Sequence, residues 1–193
     1  MRIAQFSLGL PLISNVCQCL HQFLFALRVK AAIEHDIIGL KHLNFNLEIM
    51  GTNTSFNDAQ WNTKEDLLLL AENAVQLSIA GLSLAADEEL SLCYGSRDPS
   101  REDYPFNLRA VIYQIRNCFA HNLLIPTYQV KSAYLRSYTL DFLPGAPNVD
   151  FKILNGTLFD YQNFGGFDNF YVLFEESEKL ILKCAALSPP PKQ

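Results

Sequence analysis

Arg116, Asn117 and His121, within the run Arg116-Asn117-Cys118-Phe119-Ala120-His121, are the residues whose types and spacing invite chemistry. A guanidinium is a permanent planar cation that grips phosphate oxygens, and imidazole is the side chain best matched to moving protons near neutral pH. Together they suit reactions at phosphorus, where one group holds developing negative charge and the other takes or gives a proton. Helical spacing sets a condition on this pairing. In a continuous helix of about 100° per residue, His121 lies about 140° round from Arg116, so the two converge only where the helix frays or turns. The same pair also serves a helix end with no chemistry, covering the last carbonyls and complementing the negative end of the dipole. Loose versions of the spacing arise readily: Arg28 and His35 form one inside another helical stretch.

The segment that must position these residues spans 106–130. Leu108, Ile112, Ile115 and Phe119 recur at helical spacing, which predicts a helix with one apolar stripe against a core. Pro126 predicts a stop nearby, with Asn122 as a left-handed cap.

The wording Arg-Asn-Cys-Phe-Ala-His at a helix end closely resembles the R-x(4-6)-H motif of the HEPN superfamily, all-helical domains found in many prokaryotic toxins and defence ribonucleases. The close likeness covers the six motif residues, and a looser one the helical order of the chain. The resemblance implies Arg116 and His121 as catalytic residues, with Asn117 as the polar residue that commonly follows the arginine. It also implies a homodimer. Many members of the superfamily are inactive or serve as binding modules.

With 193 residues, 49% of them hydrophobic and 18% charged, the chain is long enough to bury one substantial core, and a single domain over 1–193 is expected. The net charge of −5 supplies no global field for nucleic acid, so any RNA contact must come from a local cluster. Cys17, Cys19, Cys93, Cys118 and Cys184 show neither a Cys-x-x-Cys pair nor zinc-finger spacing, and are expected as reduced thiols of a cytoplasmic protein. Cys17 and Cys19 point about 200° apart on a helix, which favours packing over a metal. His35 and His42 share a helical face near Glu34 and Asp36, but no third ligand stands at a fixed spacing. No metal or other cofactor is expected. The first fifteen residues faintly resemble a signal peptide without its cleavage pattern, and no uninterrupted apolar run reaches membrane-spanning length, so no membrane partner is expected.

In chain order, Ser14 or Asn15 caps a long first helix that is apolar on two faces, with Phe25, Val29 and Ile33 on the second. Leu40, Leu43 and Leu47 carry the helical period on towards Gly51, and the polar run 51–62 reads as a loop. Thr63 and Asp66 form a capping box for the second helix, in which Leu67, Leu70, Ala74, Leu77, Gly81 and Leu84 keep the period and Gly95 ends it. Small residues Ala71, Ala74, Ser78 and Gly81 would admit a neighbouring helix closely. The charged run 95–105 carries Arg97 and Arg101; with Arg109 these are the basic residues nearest the motif in sequence, hence candidate substrate contacts.

After Pro126 the pattern changes. Residues 128–130, 138–142 and 149–153 alternate as strands do, and Asn155-Gly156 is a strong hairpin signal. The aromatics Tyr134, Tyr138, Phe142, Phe151, Phe159 and Tyr161 fit cross-strand packing, with base stacking as the alternative. A final helix starts near Asp168, and a proline-rich tail, disordered from about 188, closes the chain. The fold class expected is therefore mainly α: a HEPN-like bundle of four to five helices, with a small antiparallel β-hairpin or sheet inserted at about 127–162 before the last helix.

The expected function is a metal-independent endoribonuclease of HEPN type, a toxin or defence RNase acting as a homodimer with a composite site. Arg116, His121 and Asn117 are its catalytic residues and RNA its substrate, with an antitoxin as a further partner on family habit alone. The alternative is a catalytically inactive dimeric module that binds RNA, a nucleotide or a protein.

Overall fold

The computed structural model describes residues 14–39, 45–49, 52–56 and 63–187. The leader-like start before Ser14, the histidine His42, the leucines Leu40 and Leu43, and the proline-rich tail lie outside the described residues.

Helix α1 (Asn15–Glu34) opens at Ser14, whose hydroxyl accepts from the Cys17 amide, the cap that a short polar side chain in extended conformation supplies. Helix α2 (Lys64–Tyr94) opens on the reciprocal Thr63–Asp66 capping box and stops at Gly95. Helix α3 (Tyr104–His121) starts with Pro105 in its first turn, where a missing amide costs nothing. A four-residue helix α4 (Phe151–Leu154) and the long α5 (Phe167–Leu187) complete a bundle in which α2 packs along α1, α3 and α5. Before α5, β3 (Ser137–Thr139) and β4 (Asn148–Asp150) pair antiparallel. The chain is thus mainly helical with a small two-stranded sheet ahead of the last helix, as expected.

Several local readings change. Residues Phe45–Ile49 (β1) and Thr52–Phe56 (β2) pair antiparallel, so Leu47 lies in a strand and the supposed loop supplies its partner. A helical period was readable there only because strand and helix patterns coincide over so short a run. In the β region, 128–130 forms no strand beyond a single bridge between Thr127 and Leu158. Residues 151–153 turn helical, since the Asp150 carboxylate accepts from the Lys152 amide and caps a turn. Asn155-Gly156 therefore joins no two strands. Gly156, at φ +85°, turns the chain after α4 and its amide donates to the Tyr128 carbonyl. At the end of α3, Asn122 is extended rather than left-handed, and its side-chain oxygen accepts from the Leu124 and Ile125 amides.

The burial of α2 is also not where one apolar period placed it. Leu67, Ala71, Val75, Ile79, Leu82, Ala86 and Leu90 face the core, whereas Leu77 and Leu84 are exposed, 55% and 39% respectively, with Ala74 on the same side. A helix apolar nearly all round offers two stripes, and its neighbours decide which is buried. By length and mean hydropathy α1 and α2 are both apolar enough to cross a membrane, a property the interrupted runs conceal; here both pack into the bundle.

The core spans all the long helices and the β region. Phe170 is fully buried and meets Phe23, Phe159, Tyr161, Phe164 and Phe174 edge-on or tilted, at centroid distances of 5.0–6.1 Å. Tyr134, Tyr138 and Phe151 are buried, so these aromatics pack as core instead of offering a platform for bases. Gly165, at φ +83°, permits the turn into α5; a Cβ there would sit 2.7 Å from the Asn169 amide nitrogen, which donates to the carbonyls of Pro144 and Phe164.

Candidate functional site

Helix α3 runs without a break through His121, which keeps Arg116 and His121 about 140° apart around its axis. No hydrogen bond or ion pair joins them. His121 is exposed at the helix terminus; Arg116, 36% exposed by its side chain, turns towards α2. There its Nε lies 3.6 Å from Oδ2 of Asp87.

Asp87 is the residue that organises this side of the molecule. It sits on the buried stripe of α2 between Ser83 and Leu90, and only 8% of its side chain is exposed. A carboxylate is tolerated there because it is paired twice: Arg97, from the loop after α2, bonds Oδ1 while Arg116 approaches Oδ2. The Arg97 guanidinium carbon also lies over the Tyr113 ring, 3.9 Å from its centroid, a cation–π placement that helps hold the fork.

Tyr113, Asn117 and His121 follow one another at intervals of four residues, so they form a polar ridge along α3, drifting about 40° per step. Asn117 is buried, and its side-chain amide and the Lys131 ammonium both favour the ionised form of the Tyr113 phenol. Burial pushes the Tyr113 phenol up, but those two groups and the charge of Arg97 outweigh it and hold the phenol below its ordinary value. The ridge therefore runs from a charge-stabilised phenol, through a fixed amide, to an imidazole in solvent.

The sequence candidates separate in space. Arg116 and Asn117 share one neighbourhood with Arg97, through Asp87 and Tyr113. His121 stands at the end of the same ridge without touching Arg116. Arg101 lies on the surface, bonded to Asp103 and stacked 3.6 Å from the Phe106 centroid. Arg109 is 2% exposed and donates to the carbonyls of Tyr94 and Gly95, so it closes the C-terminus of α2 and presents no charge to solvent. Burial is the main reason its guanidinium is held below the usual arginine range, with Arg97 nearby adding to the effect.

Sequence reasoning missed Asp87, Tyr113 and Lys131. Asp87 opens the acidic run Asp87-Glu88-Glu89, which reads as solvated surface; its position three residues before the buried Leu90 was the available signal. Tyr113 was legible as the residue one turn before Asn117 on the ridge. Lys131 reaches the site from the segment after α3, and no local pattern marks it. None of the five cysteines forms a disulfide, and burial drives the Cys118 thiol up to about 12, which suits packing and not nucleophilic attack.

No family model, no curated protein and no solved structure matches this chain.

Proposed function

We propose that this protein is a metal-independent endoribonuclease of HEPN type, working as a homodimer in the cytoplasm with a toxin or defence role. The observation that carries the reading is an exposed His121 at the end of a helix whose Arg116 is held, half-exposed, by a buried carboxylate. RNA carries its own nucleophile, the 2′-hydroxyl. His121 takes the proton from that hydroxyl as it attacks the adjacent phosphorus. The 5′-oxygen leaves with a proton from an acid, and a 2′,3′-cyclic phosphate forms. Arg116 neutralises the charge that builds on the non-bridging oxygens. One imidazole does not serve as base and acid in a single step, so the second proton comes from His121 of a second copy, which a twofold interface places opposite the first.

The exposed apolar side of α2 supports such an interface. Arg97 and Asp87 meet the middle of α3, and Phe119 lines a groove with Gln76 and Ile79, so α3 runs antiparallel to α2 and its motif end lies beside the middle of α2. Leu77 and Leu84 are exposed on that stretch, and Leu124 and Ile125 are exposed directly after the motif. Leu77→Glu is expected to convert a dimer to monomer in sedimentation velocity and to abolish cleavage with the monomer still folded.

A second reading, an inactive module that binds RNA, a nucleotide or a protein, draws on one observation: Arg116 is ion-paired and Asn117 buried within one protomer. Incubating purified protein with RNA in excess chelator separates the two. The ribonuclease reading expects cleavage that Arg116→Ala and His121→Ala each remove; intact RNA with the wild-type protein leaves the binding module.

A further inference from the structure

The C-terminal end of α2, the loop after it and the segment after α3 border an open cleft of about 540 Å³ beside the motif. Its walls carry Arg97, Lys131, Tyr113, Tyr134 and the hydroxyl-bearing Ser91 and Ser96. That volume lies in the range of small-ligand sites. The lining is unusual for a chain of net charge −5. Two cations and four hydroxyl groups converge on it, and no carboxylate is among its described lining residues. Behind the wall stand Arg116 and the buried Arg109, so four cations surround a neighbourhood whose own ion pairs include one carboxylate, Asp87. Asp87 is already shared between the two guanidiniums of Arg97 and Arg116, and Lys131 is exposed. Cations and hydroxyl groups gathered on one cleft, with no carboxylate in its lining, meet the requirement for binding an anion with several acceptor oxygens.

We propose that this cleft is a phosphoryl-binding site, in which Arg97, Lys131 and the Tyr113 hydroxyl grip a phosphate group. Lys131 and Arg97, the cations of this cleft, are also among the groups that hold the Tyr113 phenol below its ordinary value. On the ribonuclease reading, from which this part of the inference follows, the occupant is a phosphate of the RNA strand beside the scissile one. Arg97 and Arg116 are only a carboxylate apart, so a strand lying on Arg116 passes this mouth. A free phosphomonoester offers the same chemistry, and the two sources separate experimentally.

Fluorescence anisotropy with a 2′-O-methyl oligonucleotide, which lacks the attacking hydroxyl, and calorimetry with adenosine monophosphate are the two arms, each at several salt concentrations. Lys131 is exposed, so Lys131→Ala is expected to fold as the wild type. It should weaken oligonucleotide binding about five- to tenfold and reduce the log–log salt slope by about 0.7, the value for one lost single-strand phosphate contact. Lys131→Arg restores most of both, and Lys183→Ala on α5 changes neither. Dependence on Lys131 in the nucleotide arm alone keeps the phosphoryl site and names a free phosphomonoester as its occupant. Binding of both probes that is indifferent to Lys131→Ala overturns the proposal. Lys131-dependent binding by a protein that cleaves no RNA removes the ribonuclease reading and leaves this site standing, whereas cleavage with Lys131-independent binding does the reverse.

Discussion

Arg109 and Arg116 stand two turns apart on the same face of α3, and both point at α2, yet they do opposite things. Arg109 is sealed in the core and spends its donors on the carbonyls that end α2. Arg116 meets Asp87 with a third of its side chain in solvent and its fork only partly used. The difference lies in what α2 offers at each level, a helix terminus in one case and a side-chain carboxylate in the other. A backbone terminus absorbs a guanidinium for structure. A carboxylate shared with Arg97 holds one in place while leaving it free to meet an anion.

Substitution along this helix breaks or sharpens that contrast. The largest effect is expected at its open end: His121→Ala should slow RNA cleavage by about 10²–10⁴-fold, the usual worth of a positioned proton-transfer group, with an unchanged unfolding midpoint. Asp87→Ala frees both Arg97 and Arg116, and misplacing the clamp should cost about 10²-fold in cleavage rate. At the closed end the readout is stability. Arg109→Ala leaves buried carbonyls without donors and should cost about 1–3 kcal/mol in urea denaturation, whereas Arg116→Ala, which breaks a partly exposed pair, should cost less than about 1 kcal/mol. If the two arginines cost the same, the contrast fails.

The smallest effect concerns the first turn of α3, where the Tyr104 hydroxyl donates to Glu176 at 2.7 Å. Burial pushes the Glu176 carboxyl up, but hydrogen bonds from Lys179 and Tyr104 outweigh it and hold it below its ordinary value. A carboxylate depressed in the folded state binds fewer protons there than in the unfolded chain. Its contribution is therefore complete above the ordinary value of 4.5 and is lost as pH falls. Glu176→Gln should lower stability slightly at neutral pH, leave it nearly unchanged at low pH, and so flatten the acid limb of the stability–pH curve.

What could be read in advance follows from how local each signal is. The Thr63–Asp66 cap, the end of α2 at Gly95 and the apolar stripe of α3 depend on residues within a few positions, and the structure bears them out. The facing of α2 depends on α1, α3 and α5, so a helix with two apolar stripes left Leu77 and Leu84 undecided until its neighbours were in place. The Asn-Gly signal at 155–156 marked a real turn and misled about what it joins, because Asp150 caps a helical turn where alternation promised a strand. At the candidate site Arg116, Asn117 and His121 were legible because one helix carries them. Asp87 and Arg97 are brought in by the antiparallel packing of α2 on α3, and Lys131 by the fold of the segment after α3, so none of the three is local to the motif.

The central claim is that His121 and Arg116 cleave RNA without a metal. It is tested most directly by incubating a defined RNA with wild-type protein and with His121→Ala, both in excess chelator, and determining the ends produced. Cleavage by the wild type alone, leaving 2′,3′-cyclic phosphate, is the expected result; cleavage that chelator stops, or that His121→Ala retains, would contradict it.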